Sequence, residues 1–219
     1  MASKWVLLMA YSTPGVVPVD EFPPGTSILV AGPPLTRKRE LMIDLLGDDG
    51  DEGAVMVTTK MGAGKLLQLF RDWNGDRPAD RLHVVDCVTK ERGIGQVRET
   101  DTTSYLSSSR DMTGLSIELS GLFQDYHQSG DPMRFGVHSL STFLMYHNLQ
   151  RVYRMVHVLS GQIESAGALG VFVVDYPTDR ELNMLSQLID GVIETRETDD
   201  GCELRLRGLG GRSAGWQSY

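Results

Sequence analysis

Short apolar runs alternate along this chain with longer stretches in which apolar residues recur at helical spacing. Such alternation is typical of a parallel β-sheet flanked by α-helices, because a strand buried on both faces is a nearly continuous apolar run. The sequence therefore predicts an α/β fold with a central parallel sheet. The predicted strands are residues 27–31, 54–58, 82–86, 134–138 and 170–175.

The predicted helices place apolar side chains along one stripe, as a helix packed on a sheet requires. They cover residues 115–126, 149–163 and 182–189. Residues 191–198 and 202–209 alternate around a Gly-containing turn, which predicts a C-terminal antiparallel hairpin. Residues 91–110 are polar and predict a long surface loop.

The length of 219 residues suits a single domain, which we place at residues 1–209, followed by a flexible Gly- and Ser-rich tail at residues 210–219. No apolar stretch approaches the roughly 18 residues of a membrane span. The two cysteines, Cys87 and Cys202, lie outside any CxxC pattern. We therefore expect neither a disulfide framework nor a structural zinc site, and predict a location in a reducing cytoplasm.

The net charge of −8 disfavours binding to nucleic acid, because the long-range field of the protein repels polyanions. The chain holds 18 Asp but only 5 Lys. That balance favours a salt-adapted cytoplasm. A GC-rich genome that favours Arg codons is the alternative explanation.

A candidate phosphate loop follows the first predicted strand. In the pattern G-x-x-x-x-G-K-[ST], backbone N–H groups wrap the phosphates, Lys neutralises them and Ser or Thr holds Mg²⁺. Gly32 and Lys38 match the first Gly and the Lys, whereas Arg37 and Arg39 replace the second Gly and the Ser/Thr. The candidate phosphate-binding residues are Gly32, Pro33, Pro34, Thr36, Arg37, Lys38 and Arg39.

Both replacements oppose magnesium-dependent binding. The side chain of Arg37 crowds a place where the backbone approaches phosphate closely, and Arg39 cannot ligate a divalent cation. The basic cluster at a helix start could still attract an anion, or it could be a solvated loop. A second string, residues 61–65, lacks the first Gly of the pattern and predicts only the start of a helix.

Several segments resemble the KaiC-type ATPases of the RecA fold. Residues 22–26 and 30–34 resemble the opening of that family, in which a Pro/Gly turn leads into a strand and a Gly-Pro-Pro phosphate loop. Residues 134–141 resemble its Walker B strand, and residues 190–194 with 203–207 its closing hairpin. The resemblance spans residues 23–208 and is closest to small KaiC-like proteins of haloarchaea, which implies an archaeal, halophilic source.

The resemblance implies a RecA-like sheet with a nucleotide site, and ATP is the cofactor that it suggests. The same comparison makes His138 and Ser139 a degenerate Walker B motif, because His138 replaces the Asp that positions Mg²⁺. Lys60 and Met61 stand where relatives carry catalytic glutamates. We therefore expect a pseudo-ATPase with no catalytic residue of its own.

Two functions fit this expectation. The first is a regulatory or scaffolding interaction module, and the alternative is an ATP-binding switch with slow or no hydrolysis. Because relatives with the RecA fold often form rings, the resemblance implies a homo-oligomer or a complex with an intact paralogue. A DNA-recombination accessory is disfavoured by the net charge of −8.

Other catalytic arrangements find less support. His138, Ser139 and Asp175 could be imagined as a hydrolase triad, but the sequence has no G-x-S-x-G elbow. We predict instead that His138 is a buried, hydrogen-bonded histidine and that Asp175 is a turn residue or helix cap. His147 and His157 lie ten residues apart and lack the spacing of metal ligands.

Overall fold

The structure is a computed structural model that describes residues 10–13, 15–47, 52–74, 81–93, 97–211 and 214–219. Strands and helices alternate along most of the described chain, as the apolar pattern predicts. The strands are β1 (Tyr11–Ser12), β2 (Glu21–Phe22), β3 (Ser27–Gly32), β4 (Gly53–Thr58), β5 (Leu82–Asp86), β6 (Thr103–Tyr105), β7 (Met133–His138), β8 (Leu169–Asp175), β9 (Gly191–Thr198), β10 (Gly201–Arg207) and β11 (Gln217–Ser218). The helices are α1 (Lys38–Leu46), α2 (Ala63–Asn74), α3 (Thr89–Arg92), α4 (Met112–Ser129), α5 (Leu140–Tyr146), α6 (Leu149–Ala166) and α7 (Asp179–Ser186).

A nine-stranded sheet forms the centre of the molecule, in the order β11-β10-β9-β3-β8-β7-β4-β5-β6. All the pairings from β9 to β6 are parallel. β10 runs antiparallel to β9, and β11 runs antiparallel to β10. The predicted α/β class, the parallel sheet and the C-terminal hairpin are therefore confirmed.

Helices cover both faces of the sheet because successive strand residues point to opposite sides. On one face, Ile28 and Val30 of β3 pack in a cluster with α1 and α2. On the other face, Leu29 and Ala31 pack in a cluster with α4, α5, α6 and α7. Since β3 leads to a helix on the first face and its neighbour β8 to a helix on the second, a crevice opens between their carboxyl ends.

The predicted loop at residues 91–110 is wrong in part. It contains the end of α3 and the short strand β6, in which Thr103 is paired with Val84 of β5. A strand of three residues is too short to show an alternation that distinguishes it from a polar loop.

The Gly- and Ser-rich tail contains a strand that its composition does not indicate. In β11, Gln217 pairs with Leu204 of β10. The ring of Trp216 lies beneath the guanidinium groups of Arg196 and Arg205. The ring centroid lies 4.1 Å from Cζ of Arg196 and 4.6 Å from Cζ of Arg205. Such cation–π contacts hold this end of the chain against the edge of the sheet. Among the residues that the structure describes, no helix is long and apolar enough to cross a membrane.

Candidate functional site

A cavity of about 400 Å³ lies at the carboxyl ends of the central strands. Its walls come from the loops that follow β3 and β4, from the last residues of β7 and β8, and from the start of α1. This is the edge at which open α/β sheets bind ligands. The lining residues are Pro34, Leu35, Arg37, Lys38, Arg39, Glu40, Lys60, Met61, His138 and Asp175.

Lys38 lies at the bottom of the loop that connects β3 to α1, which we call the 32–38 loop. The residue is only 4% exposed. Its ammonium group donates hydrogen bonds to the carbonyl oxygen of Pro33 and, over 3.1 Å, to Thr36 Oγ1. A third contact of 2.9 Å joins it to Asp175 Oδ1. Because an ammonium group has three donors, the structure uses all of them within the protein.

Asp175 lies between two lysines. Oδ1 contacts Lys38, and Oδ2 forms an ion pair with Lys60 at the end of β4. Burial would raise the pKa of this carboxyl group, but the hydrogen bonds from Lys60 and Lys38 outweigh it and lower the pKa. Burial also lowers the pKa of Lys38, although Asp175 opposes that change. The lowered pKa keeps Asp175 ionised at neutral pH, and this carboxylate neutralises part of the cationic cavity.

The backbone of the 32–38 loop is held in a sparsely populated conformation. Leu35 and Arg37 have φ angles of 66° and 52°, which are left-handed values that cost non-glycine residues about 1–3 kcal/mol each. Thr36 between them is fixed by a 2.7 Å hydrogen bond to Thr195 of β9. The Tyr219 hydroxyl donates to the carbonyl oxygen of Thr36. The end of the described chain therefore helps to set the shape of this loop.

Gly32 is required for packing within the sheet. A Cβ atom on Gly32 would lie 2.2 Å from Thr195 Oγ1 and 2.4 Å from the carbonyl oxygen of Thr195. Only glycine allows β3 and β9 to approach this closely. The presence of Gly32 in the motif thus has a structural explanation that needs no phosphate.

The two arginines of the motif point to different partners. Arg37 donates a 3.3 Å hydrogen bond to the backbone oxygen of Tyr219, and Arg39 forms an ion pair with Glu40. Four cationic side chains and two carboxylates line the cavity. With a neutral histidine, the lining carries a net charge of +2 in a chain whose total is −8. The cavity is therefore a local exception to the acidic character of the protein.

His138 ends β7 and lines the same cavity. Burial, followed by the charge of Lys60, lowers the pKa of this histidine to about 4, so the imidazole is neutral at pH 7. The predicted burial is correct, since the residue is 7% exposed. The predicted hydrogen bonding is incomplete, because Nδ1 is buried with no partner among the described residues.

Ser139 supports this corner of the cavity from behind. Its side chain is fully buried, and its backbone N–H donates a 2.8 Å hydrogen bond to Thr59 Oγ1. The same hydroxyl contacts Thr142 over 2.9 Å. Thr59 thus ties the end of β4 to the start of α5, which fixes the positions of Lys60 and His138.

The structure brings five of the nine predicted site residues to the cavity wall: Pro34, Arg37, Lys38, Arg39 and His138. Gly32, Pro33, Thr36 and Ser139 lie beneath it and support the wall. Lys60 and Asp175 also belong to the site, although they are not among the nine predicted residues. Lys60 follows a strand predicted to be parallel and Asp175 ends another, and the carboxyl ends of parallel strands share one edge, so this signal could have found them.

Two further predictions concern the helix cap at Asp175 and the helix start at residues 61–65. Asp175 does not cap α7, because the cap is Thr178, which accepts a hydrogen bond from the backbone of Glu181 in a reciprocal capping box. The string at residues 61–65 does open a helix, since α2 begins at Ala63, and Lys65 is exposed. That string therefore contributes no cation to the cavity.

The charged groups of the cavity are suited to holding an anion. Both lining carboxylates are already paired with cations, and within the described ranges no group of three or more His, Cys, Asp or Glu side chains could hold a metal ion. Lys60, whose side chain is 39% exposed, and the exposed Arg37 can donate to an oxyanion in the cavity. None of the lining carboxylates stands unpaired to act as a general base.

A comparison with known protein families identifies the family of this chain. A family model described as "Family of unknown function (DUF7504)" matches residues 25–195, which is more than half of the sequence. The chain belongs to this family. The matched part of this DUF7504 protein runs from the turn before β3 to the middle of β9 and includes every residue of the cavity wall.

One solved structure similar to this DUF7504 protein is the crystal structure of the uncharacterized protein PH0321 from Pyrococcus horikoshii in complex with an unknown peptide. The TM-score is 0.60 and the sequence identity 16%, and the match covers 82% of each chain. At that identity the likeness shows a related fold. No curated protein matches the sequence.

Proposed function

We propose that this DUF7504 protein is a RecA/KaiC-like domain that has lost ATP turnover and acts as a regulatory or scaffolding interaction module. The observation that carries the proposal is the position of Asp175 between Lys38 and Lys60. In a working nucleotide site the loop lysine neutralises phosphate. Here its three donors are taken by Pro33, Thr36 and Asp175, so the site is satisfied by the protein itself.

Loss of turnover follows from what the cavity offers to a phosphoryl group. Phosphoryl transfer depends on a positioned Mg²⁺, a clamp of positive charge and an oriented water molecule. Cations are present, but Arg39 and His138 stand where oxygen ligands for the metal are expected, and Lys60 where an acid would orient the water. A neutral, desolvated imidazole is a poor partner for a hard cation.

Two further observations support an interaction role. Ile117, Met145, Tyr146 and Val158 are large apolar side chains that are exposed on α4, α5 and α6. All three helices pack on the same face of the sheet, and exposed apolar patches mark contact surfaces. In addition, the similar protein PH0321 was crystallised with a peptide. We propose a homo-oligomer or a complex with an intact paralogue, in the reducing, salt-rich cytoplasm of an archaeon.

The second candidate is an ATP-binding switch with slow or no hydrolysis. The net charge of +2 around the cavity favours it, because a cationic pocket in an acidic protein attracts anions. For ATP to bind, Lys38 must release at least one of its three acceptors. The switch therefore differs from the module in having a measurable affinity for ATP.

Equilibrium binding of labelled ATP, with and without Mg²⁺ in high salt, separates the two candidates. We expect weak binding that Mg²⁺ does not strengthen, because no oxygen ligand for the metal is in place. The control variant Lys65→Ala should bind ATP like the wild type, since Lys65 is exposed on α2 away from the cavity. Tight binding that requires Mg²⁺ would instead establish the switch.

A further inference from the structure

The mouth of the cavity carries two exposed apolar side chains that the proposed loss of turnover does not explain. Leu35 is 89% exposed and Tyr176 is 70% exposed. Leu35 lines the cavity, and Tyr176 follows Asp175 and donates its backbone N–H to the carbonyl oxygen of Gly32 over 3.1 Å. Both therefore lie at the edge formed by the loops after β3 and β8.

These residues also share an unusual backbone. Among the described non-glycine residues, those with positive φ are Leu35, Arg37 and Tyr176, and all three lie at this edge. Residues in such conformations cluster at ligand clamps and other functional sites. Strain that presents Leu35 and Tyr176 to solvent contributes nothing to packing, which points to a contact with another molecule.

Inside the cavity, the existing ion pairs show which anion the cations accept. Asp175 gives one carboxylate oxygen to each of Lys38 and Lys60. His138 contributes a neutral imidazole to the same wall, but its Nδ1 is buried. The ammonium group of Lys60 is accessible, since 39% of its side chain is exposed. A second carboxylate can therefore approach Lys60 beside Asp175.

The exposed apolar rim, and not the charge, favours a carboxylate on a polypeptide over a free phosphate in this position. The net +2 of the lining already counts Asp175 and would accept either anion. A free anion would leave Leu35 and Tyr176 exposed, whereas a polypeptide that carries the carboxylate covers them.

We infer that this cavity is a docking site for an acidic side chain of a partner protein, whose neighbouring apolar side chains pack on Leu35 and Tyr176. The inference rests on the proposed interaction role and names the partner's chemistry. The volume of about 400 Å³ lies within the range of roughly 300–1,000 Å³ that is usual for ligand pockets. Recognition combines cations for the carboxylate with an apolar rim, as in other acidic-motif sites.

An array of end-capped pentapeptides tests the inference on the full chain. A central Asp or Glu is flanked by every pairing of Leu, Ile, Val, Met, Phe and Tyr, and a matched array carries Asn or Gln instead. We expect a subset of acidic peptides to bind about tenfold or more tightly than their amide counterparts, the effect of losing a charge-assisted hydrogen bond. If no acidic peptide exceeds its amide counterpart, the inference is wrong.

Variants locate the binding. Lys60→Gln should weaken the best acidic peptide about tenfold, and Leu35→Ser should weaken it without changing the preference for acid over amide. Lys65→Ala, outside the cavity, should bind like the wild type, and circular dichroism checks that each variant folds. Peptide binding that survives Lys60→Gln together with Leu35→Ser would place the contact elsewhere and overturn the inference.

Competition separates the inference from the proposed loss of turnover. Neither inorganic phosphate nor ATP with Mg²⁺ should displace the best acidic peptide when each is added at a concentration equal to the Kd of that peptide. Displacement by either would make the cavity a phosphate site and contradict the inference. ATP hydrolysis by the wild type would contradict the proposed function even where acidic peptides bind.

Discussion

At the scale of single residues, His138 shows how burial alters the chemistry of the cavity. Desolvation and the nearby charge of Lys60 lower the pKa of its imidazole to about 4, from an ordinary value of 6.5. Between these two pH values the unfolded chain binds a proton at this position and the folded chain does not. Acidification from pH 6.5 to 4 therefore favours unfolding.

The replacement His138→Gln should reduce this pH dependence. Between pH 6.5 and 4, protonation linked to His138 should lower the free energy of unfolding of the wild type by up to about 3 kcal/mol. The variant should not show this loss. Urea unfolding at several pH values in that window measures it. The control is His157→Gln, at an exposed position of α6. Parallel pH profiles for wild type and His138→Gln would contradict the account of this residue.

Residue patterns predicted part of the site. The 32–38 loop and His138 were found because their order matches a motif, and five of the predicted residues reach the cavity wall. Lys60 and Asp175 were not among the predicted residues, and their ion pair joins the end of β8 to the turn after β4, two strands that β7 separates in the sheet. The order of strands in the folded sheet is what a motif search cannot supply.

At the scale of elements, the contact between β3 and β9 depends on Gly32. The replacement Gly32→Ala should lower the free energy of unfolding by about 2–3 kcal/mol, since the new Cβ would overlap Thr195 of β9. Gly64→Ala is the matched control, because nothing lies within 4 Å of a Cβ there. In α2 this change should stabilise the protein by up to about 1 kcal/mol. Equal effects of the two changes on urea unfolding would refute the argument.

The long elements were predictable and the short ones were not. Strands β3, β4, β5, β7 and β8 are buried on both faces, so apolar runs place each of them to within one residue. β6 and β11 have three and two residues, which are too few for a periodic signal. They form because a neighbouring strand offers unpaired backbone groups, which is a tertiary cause.

At the scale of the whole molecule, the acidic composition should govern the response to salt. A net charge of −8 repels itself at low ionic strength, and above about 0.1 M salt the Debye length falls to about 10 Å. The thermal midpoint should therefore rise as KCl is added. Thermal scans over a series of KCl concentrations measure this, and a flat or falling curve would remove the inference of a salt-adapted protein.

Phosphate release from ATP in the presence of Mg²⁺ tests the central claim, that this fold has lost turnover. We expect no release above that of buffer from the wild type. The variant that combines Arg37→Gly, Arg39→Thr and His138→Asp should gain affinity for Mg²⁺–ATP and still release no phosphate, because Lys60 and Met61 leave no group to orient the water. Release by the wild type near ~1 s⁻¹, an ordinary enzymatic rate, would contradict the claim.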